Sequence, residues 1–341
     1  MKAFITASFS EAGRRRLARH MEVVHEDWRE RKKIYFEGAK LAARLDELRA
    51  DVLVVEADLV HQEVLDRHPL QLIGCCRGDP INIDIARATE LRVPVLFAPA
   101  RNADAVADLT LAYMLALARN LYIVNALLKA GEMRFESTRD YLDVYERYGG
   151  VELGGLAVGV VGFGAIGRRV TQRLRAFGSR VLVYDPFVAA DFVTAAGAEP
   201  SALDPLLREV DVLTLHCPDT PENHGLISRA RIQSMKRGAY FLNLARAAVV
   251  DDDALYEALA SGRLAGAGLD VFADEPLRPD NRFLQLPNVL VTPHLGGATR
   301  DVIRHQSDII VDGIEALLRG DRPAHIVNPG VLDAPARSMG N

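Results

Sequence analysis

Residues 158–170 read "VGVVGFGAIGRRV": an apolar β-branched run, three glycines at Gly162, Gly164 and Gly167, then a charged, helix-forming continuation. Each glycine has a mechanical reason in a strand-to-helix turn that holds a pyrophosphate. The first permits the tight turn, the second lets backbone approach the phosphates, and the third allows close packing of helix on strand. The helix that opens at Ala165 and Ile166 then offers free N–H groups and the positive end of its dipole. Alone this spacing is a weak signal, because glycine turns after strands are common. The next apolar run, "RVLVYDPF", ends in Asp185, eighteen residues beyond Gly167. A carboxylate takes ribose hydroxyls at an offset of about twenty residues. By itself Asp185 reads as a turn aspartate; with the glycines it completes a dinucleotide signature. An acid there repels a 2′-phosphate, and Pro186 and Phe187 supply no cation to receive one, so NAD is expected rather than NADP.

Outward from this turn, short β-branched runs alternate with amphipathic ones. Before it lie "KAFITA", "MEVVHED", "DVLVVEA", "LQLIGCC" and "VPVLFAP". From it onward come "LAVGVVG", "RVLVYD", "DVLTLHC", "AYFLNLA", "GAGLDVF" and "NVLVTP". Helical patterns such as "GAKLAARLDELRA" and "INIDIARATELR" lie between. Alternation of this kind predicts an α/β fold with parallel strands and crossover helices, because adjacent parallel strands cannot be joined by a tight hairpin. A chain of 341 residues predicts two domains. The apolar segment from Asn102 to about Ala130 predicts one long helix, buried or shared between domains. The polar and aromatic stretch from Glu132 reads as an arm or connector, and the tail "DAPARSMGN" carries no pattern.

A net charge of −5 provides no basic field for nucleic acid or an anionic membrane. The basic runs near residues 13–20 and 27–36 read as solvated helix faces. No apolar stretch reaches a membrane span and the N-terminus lacks a signal core. Cys75, Cys76 and Cys217 form no CxxC motif and no framework of pairs. The expectation is a cytoplasmic protein without a metal site.

Charged residues stand just beyond the late strands, where ligands gather in doubly wound sheets. They are Arg246 after "YFLNLA", Asp270 in "GLDVF" with Glu275 five residues on, and His294 in "VTPHLGG". Singly, each reads as a solvated or loop residue. Together they suit oxidation of a 2-hydroxy acid, which needs a base for the hydroxyl proton, a cation for the carboxylate and a hydride acceptor. Imidazole serves the first near neutral pH. A planar guanidinium serves the second through two parallel hydrogen bonds. A carboxylate beside an imidazole favours its cationic form, so the proton can be held and returned.

On "GFGAIG" with "YDPF", "LHCPDTPENHGLI", "MKRGAYFLNLARAAVVDDDAL", "AGLDVFADEPL" and "NVLVTPHLGG", the chain resembles the D-isomer-specific 2-hydroxyacid dehydrogenase family from about residue 50 to 330. In style it is nearest to phosphoglycerate dehydrogenases lacking a regulatory domain. The resemblance implies a catalytic arginine at Arg246, an acid assisting histidine at Glu275 and the acid/base histidine at His294. It implies further cofactor contacts at His216 and Pro218, at backbone around Leu244 and Ala245, at Asp270 on the carboxamide, and at Gly296. It also implies a Rossmann-type NAD-binding domain, residues 102–297, inserted in a flavodoxin-like substrate domain of residues 1–101 and 298–341. The substrate would be a small 2-hydroxy or 2-oxo acid. The assembly would be a homodimer, with the connector near Tyr141 to Tyr148 contributing to the contact.

The stretch "IGCCRGDPINID" departs from the family's substrate loop, which commonly reads alanine-glycine-x-glycine. Arg77 and Asp79 take the two glycine places, with Gly78 between them. Either a local Arg77–Asp79 pair closes a differently turned loop, or Arg77 adds a cation for a phosphate or second carboxylate on the substrate. Arg101 contributes from the cleft side or serves a hinge surface. Glu275 argues against the family's formate branch, which places an amide there; phosphite oxidation stays compatible with the triad. A reading of another class is the corepressor branch, in which the same fold senses NAD(H) and binds peptides.

Overall fold

The computed structural model describes residues 1–333, and the tail expected to be patternless lies, from residue 334, outside the described residues. The chain divides into two compact units: Met1–Asn102 with the chain from Thr299 onward, and Ala103–Ala298.

The first unit holds five parallel strands: β1 Lys2–Ile5, β2 Glu22–His25, β3 Val52–Val55, β4 Leu72–Cys75 and β5 Val95–Phe97, ordered β2-β1-β3-β4-β5. The second holds seven: β6 Ala157–Val161, β7 Arg180–Tyr184, β8 Glu199–Pro200, β9 Val212–Leu215, β10 Tyr240–Asn243, β11 Gly266–Leu269 and β12 Val289–Val291. Their order is β12-β11-β10-β9-β6-β7-β8, and every pairing is parallel. Both sheets reverse strand order beside their first strand, the flavodoxin-like and Rossmann patterns. Strands such as "VLVV" and "VLTL" are buried at every position because helices cover both faces. This explains why they read as unbroken apolar runs.

Three local expectations need correction. The segment from Asn102 to Ala130 is two helices, Ala103–Ala118 and Leu121–Ala130, bent by 65°. The break falls at Asn120, whose φ of 52° is left-handed, a conformation asparagine tolerates better than most residues. The first helix buries one flank in the second unit's core; the second buries no residue. The helix expected from "INIDIARATELR" starts only at Ile85, because the Asp84 side chain caps it by accepting from Arg87 N. The edge strand β8 was not anticipated: two residues ending in proline carry no period, and proline is tolerated at a sheet edge. The stretch from Glu132 contains a capped helix, Thr138–Tyr148, again without a buried residue. Among the described residues no single helix is long and apolar enough to cross a membrane.

Candidate active site

The glycine turn follows β6 at the second sheet's order reversal, and the three glycines differ physically. Gly162 has a φ of 93°, and a Cβ there would lie 2.7 Å from the backbone of His216 and Cys217. Gly167 is closed from the other side: its Cβ would lie 2.0 Å from the Gly162 carbonyl oxygen. A Cβ on Gly164 would meet nothing within 4 Å. The turn is therefore tight at both ends and open in the middle. There the uncapped N-terminus of helix Ala165–Ala176 offers its first-turn N–H groups.

Asp185 follows β7 directly and holds this turn. Its Oδ2 accepts from Phe163 N at 2.7 Å and its Oδ1 from Phe187 N at 2.9 Å, which leaves a lone pair on each oxygen. Beside it lies an open pocket of about 360 Å³ whose walls mix apolar Val183, Val188, Ala190, Val193 and Pro200 with polar Asp185 and Ser201, a lining suited to a base and its sugar. The His216 Nδ1 is buried with no partner, while its Nε2 lies 3.0 Å from Thr214 Oγ1. Burial pushes this imidazole down to about 3, so it stays neutral. Pro218 is exposed, and its carbonyl accepts from Asn223 Nδ2. An open glycine, free helix N–H groups, an unsatisfied imidazole nitrogen and a partly apolar pocket lined by a carboxylate together fit a dinucleotide.

The three adjacent strands β10, β11 and β12 lead into the loops that carry Arg246, Asp270, Glu275 and His294. Their register sets Asn243 beside Leu269 and Leu269 beside Val291, so the loops that follow lie side by side. Arg246 sits in the first of them, exposed, with Nη1 donating to Ala245 O at 2.7 Å and no acidic partner among the described residues. Buried Asn243 braces this loop: its Nδ2 donates to Arg246 O and its Oδ1 accepts from Ala245 N. Leu244 and Ala245 are buried.

The Asp270 carboxylate is 1% exposed and organises the third loop. Oδ1 accepts from Leu295 N at 2.7 Å and from the Thr292 hydroxyl, and Oδ2 accepts from Gly296 N at 2.8 Å. Gly296 is required for that approach, since a Cβ would lie 2.8 Å from Asp270 Oδ2. The clamped loop presents His294, whose φ of 57° is left-handed and costs on the order of 1 kcal/mol in a residue with a Cβ. Its N–H, donating to Asp270 O at 2.8 Å, holds that conformation. The His294 Nδ1 lies 2.8 Å from Glu275 Oε2, and Glu275 Oε1 accepts from Phe272 N at 3.1 Å. Glu275 thus spans the second and third loops and orients the ring.

The substrate-loop residues belong to the first unit, after β4. Arg77 is partly exposed, Gly78 and Asp79 are exposed, and no ion pair joins Arg77 to Asp79. Cys75 and Cys76 pack beneath the loop and are fully buried. Arg101 is committed elsewhere. It pairs with Glu56 at 3.2 Å, and the same carboxylate accepts from Ser8 N, Trp28 Nε1 and Gln306 Nε2. Sequence reasoning missed this network, and it missed Asn243 although an amide in the apolar run "YFLNLA" was a visible signal.

Residues 111–296 match the family model described as D-isomer specific 2-hydroxyacid dehydrogenase, NAD binding domain. YoaD of Bacillus subtilis is 37% identical over 313 residues, 91% of this chain and 89% of that one. The chain belongs to this family. The D-3-phosphoglycerate dehydrogenase of Methanocaldococcus jannaschii is 38% identical over 82% of this chain, which spans only 52% of that enzyme's length. The crystal structure of the TT0316 protein from Thermus thermophilus superposes with a TM-score of 0.78 at 35% identity, covering 96% of this chain and all of that one. As a D-2-hydroxyacid dehydrogenase the chain is an NAD-dependent enzyme, and the glycine turn, Asp185 and the His294 loop all lie in its NAD-binding domain.

Proposed function

We propose that the enzyme interconverts a 2-oxo acid and its D-2-hydroxy acid, with His294, Glu275 and Arg246 as the working side chains. The observation that carries this reading is the 2.8 Å His294–Glu275 contact, beside a loop whose arginine has no acidic partner. With Nδ1 held by Glu275, the Nε2 of His294 is left for the substrate oxygen. It gives a proton in reduction and takes one in oxidation. The free N–H groups of Arg246 receive the substrate carboxylate in parallel. Bound nicotinamide supplies or accepts the hydride. The remaining lone pair on Asp270 Oδ2 is available to the carboxamide, and those on Asp185 to the ribose hydroxyls.

The first unit is, in this reading, the substrate domain and the second the cofactor domain. Arg77, lacking the local acid partner expected of a merely closed loop, receives a second anion on the substrate. That favours a phosphorylated acid in the manner of 3-phosphoglycerate. We further propose a homodimer built on the helices Leu121–Ala130 and Thr138–Tyr148, which leave Leu121, Leu128, Tyr141, Leu142 and Tyr145 exposed. A monomer by light scattering refutes that assembly. Three unpaired, buried cysteines suit the reducing cytoplasm as its location.

The test is NADH oxidation against a panel of 2-oxo acids that pairs phosphorylated with plain compounds, including hydroxypyruvate and its phosphate. Turnover of one member well above the rest supports the reading. NADH binding without turnover of any member overturns it in favour of a nucleotide sensor.

A further inference from the structure

We infer that Tyr113 is a positioning residue for His294, acting through Thr292 and Asp270 from a helix that carries none of the recognised motifs. The inference rests on His294 being the proton-transfer group. The Tyr113 hydroxyl lies 2.6 Å from Thr292 Oγ1 and 3.4 Å from Leu269 O. Donor directions follow from the carboxylate. Asp270 Oδ1 can only accept, so the single hydroxyl proton of Thr292 goes to it. Thr292 Oγ1 is then an acceptor, and the Tyr113 O–H must donate to it. The result is a one-way chain, Tyr113 to Thr292 to Asp270, in which each bond polarises the next.

The chain ends on the carboxylate that shapes the His294 loop. Asp270 also accepts from Leu295 N and Gly296 N, and its carbonyl accepts from His294 N, so its placement sets the left-handed turn. Loss of the Tyr113 donor frees Thr292 to rotate away and lets the carboxylate relax. The cost falls mainly on where His294 Nε2 sits, and to a smaller degree on the carboxamide contact proposed for Asp270. The fold has made room for this arrangement. A Cβ at Gly268 would lie 2.4 Å from the Tyr113 ring, so the glycine in β11 lets the tyrosine lie flat on the strand and reach its end. Tyr113 is 5% exposed, and burial raises its hydroxyl to about 12, so it remains a donor across the working pH range.

The experiment measures Tyr113→Phe, Thr292→Val and the double variant by steady-state NADH oxidation in H₂O and D₂O, with His294→Asn alongside. Each single variant is expected to lower kcat about tenfold, as for a displaced proton donor, with KM for NADH raised by a clearly smaller factor. The solvent isotope effect on kcat should rise as proton transfer becomes rate-limiting. The double variant should fall no further, since both act through one chain. Thr292→Ser restores the hydroxyl and should recover most of the rate. If Tyr113→Phe folds poorly, the Thr292 pair decides on its own: a normal rate for Thr292→Val overturns the inference. A full rate for Tyr113→Phe beside an inactive His294→Asn sinks the positioning role alone. A full rate for His294→Asn sinks the acid/base reading and this inference with it.

Discussion

Replace Gly164 with alanine and the new Cβ meets nothing within 4 Å; replace Gly167 and it lies 2.0 Å from the Gly162 carbonyl oxygen. The same methyl group, three residues apart, should therefore fail in opposite ways. At Gly167 the helix must retreat from β6 by about 1 Å or more to restore an ordinary contact. Overpacking of this kind costs about 1–3 kcal/mol, and a unit of this size loses roughly 2–4 °C of Tm per kcal/mol. Gly167→Ala should thus melt about 2–12 °C lower. At Gly164 the backbone, with φ −70° and ψ −158°, is extended, so alanine should leave Tm unchanged or raise it by up to about 4 °C. Its methyl instead fills the space proposed for a pyrophosphate at the helix N-terminus. NADH affinity should fall at least about tenfold, or ~1.4 kcal/mol. Circular-dichroism melts of the apo proteins and NADH fluorescence titrations measure the two effects separately. Normal NADH binding by Gly164→Ala, or an unchanged melt for Gly167→Ala, would show that the opening has been misread.

Three further outcomes follow from the same geometry. Asp185→Ser removes the negative charge proposed to face a 2′-phosphate, and the ratio of kcat/KM for NADH over NADPH should shrink at least about tenfold; an unchanged ratio refutes the ribose role. Arg246→Lys keeps the charge but loses the parallel pair of N–H groups. It should cost about 100-fold in kcat/KM for the 2-oxo acid with the NADH Kd within about twofold, and equal losses in both would deny it substrate contact. Arg77→Ala should weaken KM for a phosphorylated acid at least about tenfold more than for its plain counterpart, whereas equal weakening removes the second-anion role.

The strands were legible because parallel sheets covered on both faces demand continuous apolar runs, and "VLVV", "VGVV" and "VLTL" supply them. The break at Asn120 was not, since neither glycine nor proline marks it and the apolar pattern runs through. The charged residues of the candidate site were legible because they stand immediately beyond strands. What each one touches was not. Asp270 read as a ligand contact, yet three of its four acceptor positions are filled by its neighbouring loop. Tyr113 and Thr292 are separated by 179 residues, and nothing local distinguishes that tyrosine from its apolar neighbours. A motif records which residue type a strand end needs; the bonds that hold a loop come from remote sequence and emerge only with the packing.

Asp185, Asn243 and Asp270 share a design that affects how any variant of them is interpreted. Each sits at or just past a strand end, and each uses side-chain oxygens on backbone N–H groups of a loop that faces the ligand. The loops are thereby fixed before cofactor or substrate arrives, and the ordering cost falls on folding rather than on binding. An acid that both shapes a loop and contacts a ligand cannot be assigned from affinity alone. Asp270→Asn would turn one acceptor into a donor aimed at an N–H or hydroxyl, loosening the His294 turn and altering the proposed carboxamide contact together. The two contributions separate only when stability and affinity are read on one protein: loop loss lowers Tm in the absence of NADH, while loss of the ligand contact leaves Tm intact and weakens NADH. By that criterion Asp270, with most of its acceptor positions spent internally, is first a loop-building residue. Asp185, with a lone pair left on each oxygen, has more to give to the cofactor.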